Sequence, residues 1–214
     1  MTSKCSPRGR CFYRVSDDVC TGSAVVALFI LICLGAFYYG HSSRVYAGAQ
    51  SVTSVPENLA AVAVWQRQGV KGRVLLLFDR ALNADVSRNM DISKDNYIDW
   101  ALKRNILRKV IHVVPDFRWP EAKKNLLESK LAHYSRGVFS ATIDDAPLVV
   151  LPLDSLPSIQ ETVLLHINND NFSEAQFAEV IHRIRSRSIS SDVITVTGKI
   201  SRMQMSDLTN AIRN

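Results

Sequence analysis

Cysteine is scarce in this chain and unevenly placed. The four cysteines all lie before residue 40, at Cys5, Cys11, Cys20 and Cys33. The long C-terminal part therefore cannot form a disulfide, which excludes the disulfide scaffold typical of small exported domains. The spacing of the first three cysteines is not that of a zinc site, and we interpret them as free or modified thiols.

Motifs for several common chemistries are also missing. The chain contains no G-x-S-x-G turn, so a serine-hydrolase triad has no support. It contains neither a P-loop nor a G-x-G-x-x-G loop, the usual phosphate-binding turns. Residues 41–214 carry 22 Lys and Arg against 18 Asp and Glu. This net charge of +4 is mild and is spread along the chain, which does not favour nucleic acid as a partner.

One long segment near the N-terminus lacks charge altogether. Residues 21–40, TGSAVVALFILICLGAFYYG, contain no Asp, Glu, Lys, Arg or His. The length matches a membrane-spanning helix, since about 20 residues at roughly 1.5 Å each cover the bilayer core. A buried core helix is the alternative, but such helices are seldom apolar on every face. We therefore predict a single transmembrane helix at residues 21–40, with Tyr38 and Tyr39 at the membrane interface.

Basic residues flank this segment unequally. Four precede it, and few follow it before residue 67: Lys4, Arg8, Arg10 and Arg14, against His41 and Arg44. Because positive flanks stay in the cytoplasm, we expect residues 1–20 there and the C-terminal domain on the extracytoplasmic side. A cleaved signal peptide is the alternative, since residues 47–49, AGA, have the pattern of a cleavage site. The apolar stretch is long for a signal, which favours an uncleaved, single-pass anchor.

After the anchor, the pattern indicates a short tether and one domain. Residues 41–55 are small and polar and predict a tether. In residues 56–214, apolar runs typical of strands alternate with stretches of helical spacing, which predicts an α/β domain with a mostly parallel sheet and helices on both faces. The predicted strands are residues 73–78, 109–114, 138–143, 148–153, 162–168 and 192–197. The predicted helices are residues 57–68, 93–104, 119–134, 174–187 and 206–214.

Two of these strands run directly into Asp and Asn residues. Asp79 follows the first strand, with Asn83 and Asp85 shortly after it. The strand at residues 162–168 ends in Asn168 and is followed by Asn169, Asp170 and Asn171. In an open α/β sheet, ligands bind just past the carboxyl ends of the strands. The alternative is structural, since Asp and Asn after a strand commonly cap turns through hydrogen bonds to the backbone.

Several stretches together resemble the arginase/deacetylase superfamily, and most closely an arginase-like branch of unknown function. They are VPENLAAVAVWQRQ, RVLLLFDRALNADV, ISKDNYIDWALKRNILRKVIHVVPDF, APLVVLPLDSLPSIQETVLLHINNDNFS and SDVITVTGKIS, which span roughly residues 55 to 200. The resemblance implies an arginase-like fold. It also implies that the two polar motifs hold divalent metal, which activates water to attack a C–N bond.

The chain departs from the implied metal motifs at most of their positions. Asp79 and Asp170 match the pattern, but Ala81 stands where His is expected, and Asn83 and Asn168 stand where Asp is expected. Alanine offers no ligand atom, and a neutral amide oxygen is a weak ligand for a dication. We therefore expect a vestigial metal site at Asp79, Asn83, Asn168 and Asp170, with no bound cofactor.

One alternative keeps the metal. A single weakly held Mn, Zn or Fe ion between Asp79 and Asp170 is conceivable, with Asp85 replacing a lost ligand. The chain would then be a metal-dependent hydrolase acting on an amide or amidine C–N bond. Of the two, we favour a catalytically inactive domain with a structural or interaction role. Its expected partners are the membrane and the other subunits of a membrane protein complex.

Other polar residues have simpler interpretations. His112 and His166 lie inside apolar strands and are predicted to be buried or half-buried core residues rather than ligands. Arg183, Arg185 and Arg187 follow one another at the end of a predicted helix, where cations favour the helix dipole. A solvated capping role is predicted for them.

Overall fold

The computed structural model describes residues 51–80, 92–93, 95–129 and 132–213. The predicted anchor at residues 21–40, the cysteines, Asn83 and Asp85 lie outside the described residues. Among the residues that are described, no helix is long and apolar enough to cross a bilayer.

One mostly parallel sheet organises the described chain. Its eight strands lie in the order β1-β8-β7-β2-β3-β6-β5-β4. The pairings from β1 across to β6 are parallel, and only β5 and β4 add in antiparallel fashion. The strands are β1 (Ser51–Val55), β2 (Arg73–Phe78), β3 (Leu107–Val114), β4 (His133–Ser135), β5 (Val138–Ile143), β6 (Ala146–Pro152), β7 (Val163–Asn168) and β8 (Ser191–Thr197). The predicted α/β class with a mostly parallel sheet is confirmed.

Five helices pack on the two faces of this sheet. They are α1 (Asn58–Arg67), α2 (Tyr97–Lys103), α3 (Trp119–Ser129), α4 (Glu174–Ser186) and α5 (Arg202–Arg213). Buried residues of α1 and α2, together with half-buried residues of α3, form one core with one face of the sheet. Buried residues of α4 and α5 form a second core with the other face. The predicted placement of helices on both faces is therefore confirmed for the described chain.

The central strands are apolar along their whole length because both of their faces are covered. In β2, Leu75 and Leu77 face the α1 side, and Leu76 and Phe78 face the α4 side. All four side chains are 0% exposed. Buried parallel strands read as continuous apolar runs for this reason, and that is why β2 and β7 could be found from sequence.

Two predictions about the outer strands were wrong. The last five residues of the predicted tether form β1, which pairs in parallel with β8 at the edge of the sheet. The helix predicted to reach residue 134 ends at Ser129, and β4 then pairs with β5. Both are edge strands of the sheet, and their polar sequences carry no apolar run to reveal them.

Candidate functional site

The carboxylate of Asp79 is held by three asparagine side chains. Asp79 directly follows β2 and is 1% exposed. Asn171 Nδ2 donates to its Oδ1 atom at 2.7 Å. Its Oδ2 atom accepts from Asn168 Nδ2 at 3.2 Å and from Asn58 Nδ2 at 3.3 Å. A buried carboxylate needs such donors, because burying an unpaired charge is costly.

Three separate elements of the fold place these asparagine donors around the Asp79 carboxylate. Asn58 is the first residue of α1, and Asn168 ends β7. Asn171 ends the short turn Asn169–Asn171 that follows β7. Since β7 and β2 are parallel neighbours, their carboxyl ends meet at the same edge of the sheet, and this brings Asn168 to Asp79. We call these four side chains, Asp79, Asn58, Asn168 and Asn171, the Asp79 network.

A chain of hydrogen bonds runs from the Asp79 network into the core. Asn58 Oδ1 lies 3.2 Å from His166 Nε2, and His166 Nδ1 lies 2.9 Å from Thr195 Oγ1. Trp65 Nε1 donates to the same Thr195 oxygen at 3.2 Å. The Thr195 hydroxyl also donates to the backbone oxygen of Leu165 at 3.4 Å. Asn58 uses its NH₂ group on Asp79, so its Oδ1 atom can only accept from His166 Nε2. The proton of His166 is then on Nε2.

His166 is a neutral core residue, as its strand position predicted. It is 0% exposed, and the rings of Trp65 and Tyr97 contact it edge-on at centroid distances of 5.8 and 6.2 Å. Burial lowers the pKa of His166 to about 4, against a smaller opposing effect of its hydrogen bond with Thr195. A neutral imidazole has one donor and one acceptor nitrogen, and both are used here.

Asp170 does not join the Asp79 network. It is exposed, and its carboxyl group lies against Gly198, just past β8. A Cβ atom at Gly198 would lie 2.6 Å from Asp170 Cγ, so only glycine allows this approach. Of the four predicted metal residues, the structure brings together Asp79 and Asn168. Asp170 makes no hydrogen bond to either of them among the described residues, and Asn83 lies outside those residues.

The described residues around Asp79 do not fit a divalent ion. Each asparagine of the network turns its NH₂ group, a donor, towards the carboxylate, whereas a metal ligand must offer a lone pair. Two buried oxygens nearby, Asn168 Oδ1 and Thr197 Oγ1, have no hydrogen-bond partner among the described residues. Both are neutral, and they add no negative charge to that of Asp79.

A second polar position lies one strand away. His112 of β3 is 2% exposed, and its Nε2 atom lies 2.9 Å from the backbone oxygen of Asp79. Burial lowers the pKa of His112 to about 4, with this hydrogen bond opposing the shift. The prediction of a buried core histidine is confirmed here too. His112 also lines a cavity of about 450 Å³ between the sheet and α3.

A group of acidic side chains went unnoticed in the sequence. Carboxylate oxygens of Asp116, Asp154 and Glu179 lie within 4.8 Å of one another. Arg183 forms ion pairs with two members of this group, Asp154 and, at 3.7 Å, Glu179. Arg183 thus has a specific ion-pair role rather than the predicted solvated one. Burial, with the negative charges of Asp154 and Glu179 nearby, raises the pKa of Asp116.

Sequence reasoning also missed two members of the Asp79 network. Asn171 stood within a quoted motif, but the motif gave it no role. Asn58 carried one signal that could have been used, since it is a polar residue at the start of a helix whose other buried residues are apolar. A buried asparagine at such a position needs partners, and here the partners are Asp79 and His166.

Comparison with known proteins assigns neither a family nor a function to this site. No protein-family model matches the chain, and no curated protein matches it. The α/β class therefore rests on the strand order and pairing described above. The chemistry of the site has to be argued from its own contacts.

Proposed function

We propose that this protein is a catalytically inactive, arginase-like domain, anchored to a membrane by residues 21–40. In this proposal it works through binding, as an accessory subunit of a membrane protein complex. The observation that carries the proposed loss of catalysis is that three amide donors hold the Asp79 carboxylate, at 2.7, 3.2 and 3.3 Å.

The sheet arrangement supports the resemblance on which the proposal draws. A metal centre built from two motifs needs those motifs at the ends of neighbouring parallel strands, so that both can reach one ion. β2 and β7 have this relation, and the residues that follow and end them, Asp79 and Asn168, are in hydrogen-bond contact. The scaffold for such a centre is thus retained.

The side chains on that scaffold support loss of the metal. An ionised aspartate at position 168 would repel Asp79 unless a cation lay between them, whereas the amide of Asn168 can donate to it. The same logic applies to Asn171 and Asn58. The network supplies three neutral donors to a buried carboxylate, which favours a site without a metal ion.

Metal analysis of the full-length protein tests the inactive state. The protein is purified in mild detergent without chelator, and its Mn, Zn and Fe contents are measured. We expect well under about 0.1 ion per chain, since a single carboxylate with neutral neighbours binds these ions weakly. Stoichiometric metal together with hydrolysis of amide or amidine substrates would instead establish the metal-dependent hydrolase.

The interaction role needs a separate test. The full-length protein, tagged at its C-terminus, is extracted from native membranes in mild detergent and sized by native electrophoresis. We expect it in a complex of defined composition that contains other membrane subunits. Migration as a lone monomer, with no stoichiometric partner in the purified fraction, would contradict the accessory role.

A further inference from the structure

The two edges of the sheet differ in how well they are protected against pairing with a further strand. β4 forms one edge; it is only 3 residues long, His133–Ser135, and all of them are exposed. Two cations lie beside it, since Arg136 follows directly with a φ of +51° and Lys123 Nζ lies 4.6 Å from the centre of the Tyr134 ring. A short strand next to charged side chains is a poor template for another strand.

The other edge is β1, Ser51–Val55, and it has none of these protecting features. It is 5 residues long, and the sequence carries no charged side chain anywhere in residues 45–56. Within the described part of the chain, β8 is the only strand that pairs with it. The outer side of β1 therefore presents backbone N–H and C=O groups without a strand partner there. An uncharged edge of this kind favours pairing with a further strand.

The two faces of β1 are already covered, which restricts the kind of partner. Val55 is 5% exposed and belongs to the core that contains α1, whereas Val52 packs against the core that contains α4 and α5. Helices α1 and α5 both contact the strand. Among the described residues, the open part of β1 is thus its edge. An edge accepts another strand through backbone hydrogen bonds, whereas a helix would need an apolar groove.

The length of chain before β1 points to a second copy as the partner. Residues 41–50 separate β1 from the proposed anchor at residues 21–40, and these 10 residues can span at most about 35 Å. The β1 strands of neighbouring copies therefore lie within the same short reach of one bilayer. In an antiparallel pair centred on Thr53, the two Ser51 residues are about 14 Å apart, which both tethers can reach. The pairing sets Thr53 against Thr53 and brings no charges together.

We propose that β1 is a dimer interface, at which two copies anchored in one membrane pair their β1 strands antiparallel about Thr53 and join their sheets into one. The two-fold axis runs through Thr53, perpendicular to the sheet, so the face that carries α1 in one copy continues the same face of the other. Confinement to one membrane raises the effective concentration of the two edges, which offsets the small size of the contact. The proposal deepens the interaction role by naming a partner, and it rests on the proposed anchor.

Disulfide cross-linking of the full-length protein in native membranes tests this pairing. In the background for the test, serine replaces the native cysteines, Cys5, Cys11, Cys20 and Cys33. With Thr53→Cys, the two thiols face each other across the axis, at a Cα separation that a disulfide tolerates. Ser54→Cys is the matched control, because the two copies of residue 54 lie diagonally, about 7 to 8 Å apart. We expect at least about five-fold more covalent dimer from Thr53→Cys than from Ser54→Cys.

An added charge on the edge checks that the strands themselves make the contact. Combined with Thr53→Cys, Ser54→Lys should lower the yield of covalent dimer about five-fold or more, since a lysine on an edge strand blocks pairing. Ser135→Lys, which places the same charge on the exposed β4 edge, should leave the yield unchanged. Equal yields from Thr53→Cys and Ser54→Cys, or a yield that Ser54→Lys does not lower, would overturn the proposal. A protein that co-purifies with other subunits but gives no cross-link between copies would keep the accessory role and overturn the dimer alone.

Discussion

Asp79 is a buried carboxylate that accepts hydrogen bonds from three neutral amides, and this arrangement has a measurable consequence. Removing the carboxylate leaves three amide N–H groups without their acceptor in a buried place. Leaving a buried donor without an acceptor costs more free energy than the hydrogen bond itself contributes to stability. We therefore expect the Asp79 network to contribute measurably to the free energy of unfolding, whatever the domain binds.

We predict that Asp79→Ala destabilises the fold by at least about 2 kcal/mol, because each stranded donor costs about 1 kcal/mol or more. Asp170→Ala is the matched control, since that side chain is exposed and should cost no more than about 0.5 kcal/mol. Urea denaturation of the full-length protein, followed by tryptophan fluorescence, measures both. Equal effects of the two substitutions would contradict the account of Asp79.

The two buried histidines predict how stability depends on pH. Each has a pKa of about 4 in the folded chain, against about 6.5 when unfolded. Between these values the unfolded chain binds more protons, so stability is full above pH 6.5 and falls as the pH decreases towards 4. The loss should approach about 1.4 kcal/mol per pH unit for each ring.

Denaturation at pH 7.5, 6 and 5 checks this prediction. His182→Gln, which removes an exposed histidine on α4, should leave the pH dependence unchanged. A stability that is flat across this range, or that rises as the pH falls, would show that His112 and His166 are not buried and neutral.

At the scale of the elements, the close contact between the end of β8 and the turn after β7 depends on one glycine. Gly198 has a φ of +88°, and an added Cβ would lie 2.6 Å from Asp170 Cγ and 3.0 Å from its backbone nitrogen. We predict that Gly198→Ala costs about 1 to 3 kcal/mol, from backbone strain together with this clash.

Gly137→Ala separates the two causes. Gly137 has a similar φ of +84°, but nothing lies within 4 Å of its added Cβ, so it carries the backbone strain alone. Thermal unfolding of both variants should show the larger loss for Gly198→Ala. A loss at Gly198 that is no larger than the loss at Gly137 would mean that the contact with Asp170 contributes nothing.

The hairpin between β5 and β6 offers a stabilising change. Its two turn residues, Asp144 and Asp145, have φ values of +45° and +63°, the conformation of a two-residue hairpin turn that favours glycine at the second position. We predict that Asp145→Gly stabilises the protein by about 0.5 kcal/mol. Asp144 is kept because it pairs with Lys103 at 3.4 Å. A decrease in the unfolding temperature would contradict this assignment of the turn.

The elements also show what the sequence could reveal. β2, β3, β7 and β8 were predicted, because strands covered on both faces carry apolar runs. β1 and β4 were missed since edge strands need no such run, and their pairing depends on distant partners in β8 and β5. The residues of the site divide in the same way, into those that a local pattern reveals and those that depend on distant partners. Asp79 and Asn168 were found by their place after strands, whereas Asn58 reaches Asp79 only through the packing of α1, which no local pattern encodes.

At the scale of the whole molecule, we propose a membrane anchor followed by a domain in which the ends of β2 and β7 keep the arrangement of a metal centre without its ligands. The central claim is that side-chain replacement, rather than a different fold, removed the metal from Asp79. If so, restoring the lost side chains should restore the metal.

The most direct measurement is the metal content of a restored variant beside the original protein. The variant Ala81→His, Asn83→Asp and Asn168→Asp restores the ligands that the resemblance implies. Asn169→Asp is a control for one added negative charge without those ligands. After dialysis against Mn²⁺ and Zn²⁺ and removal of free ions, we predict about one ion or more per chain in the restored variant and well under about 0.1 in the other two proteins. A restored variant without metal, or stoichiometric metal in the original protein, would contradict the account.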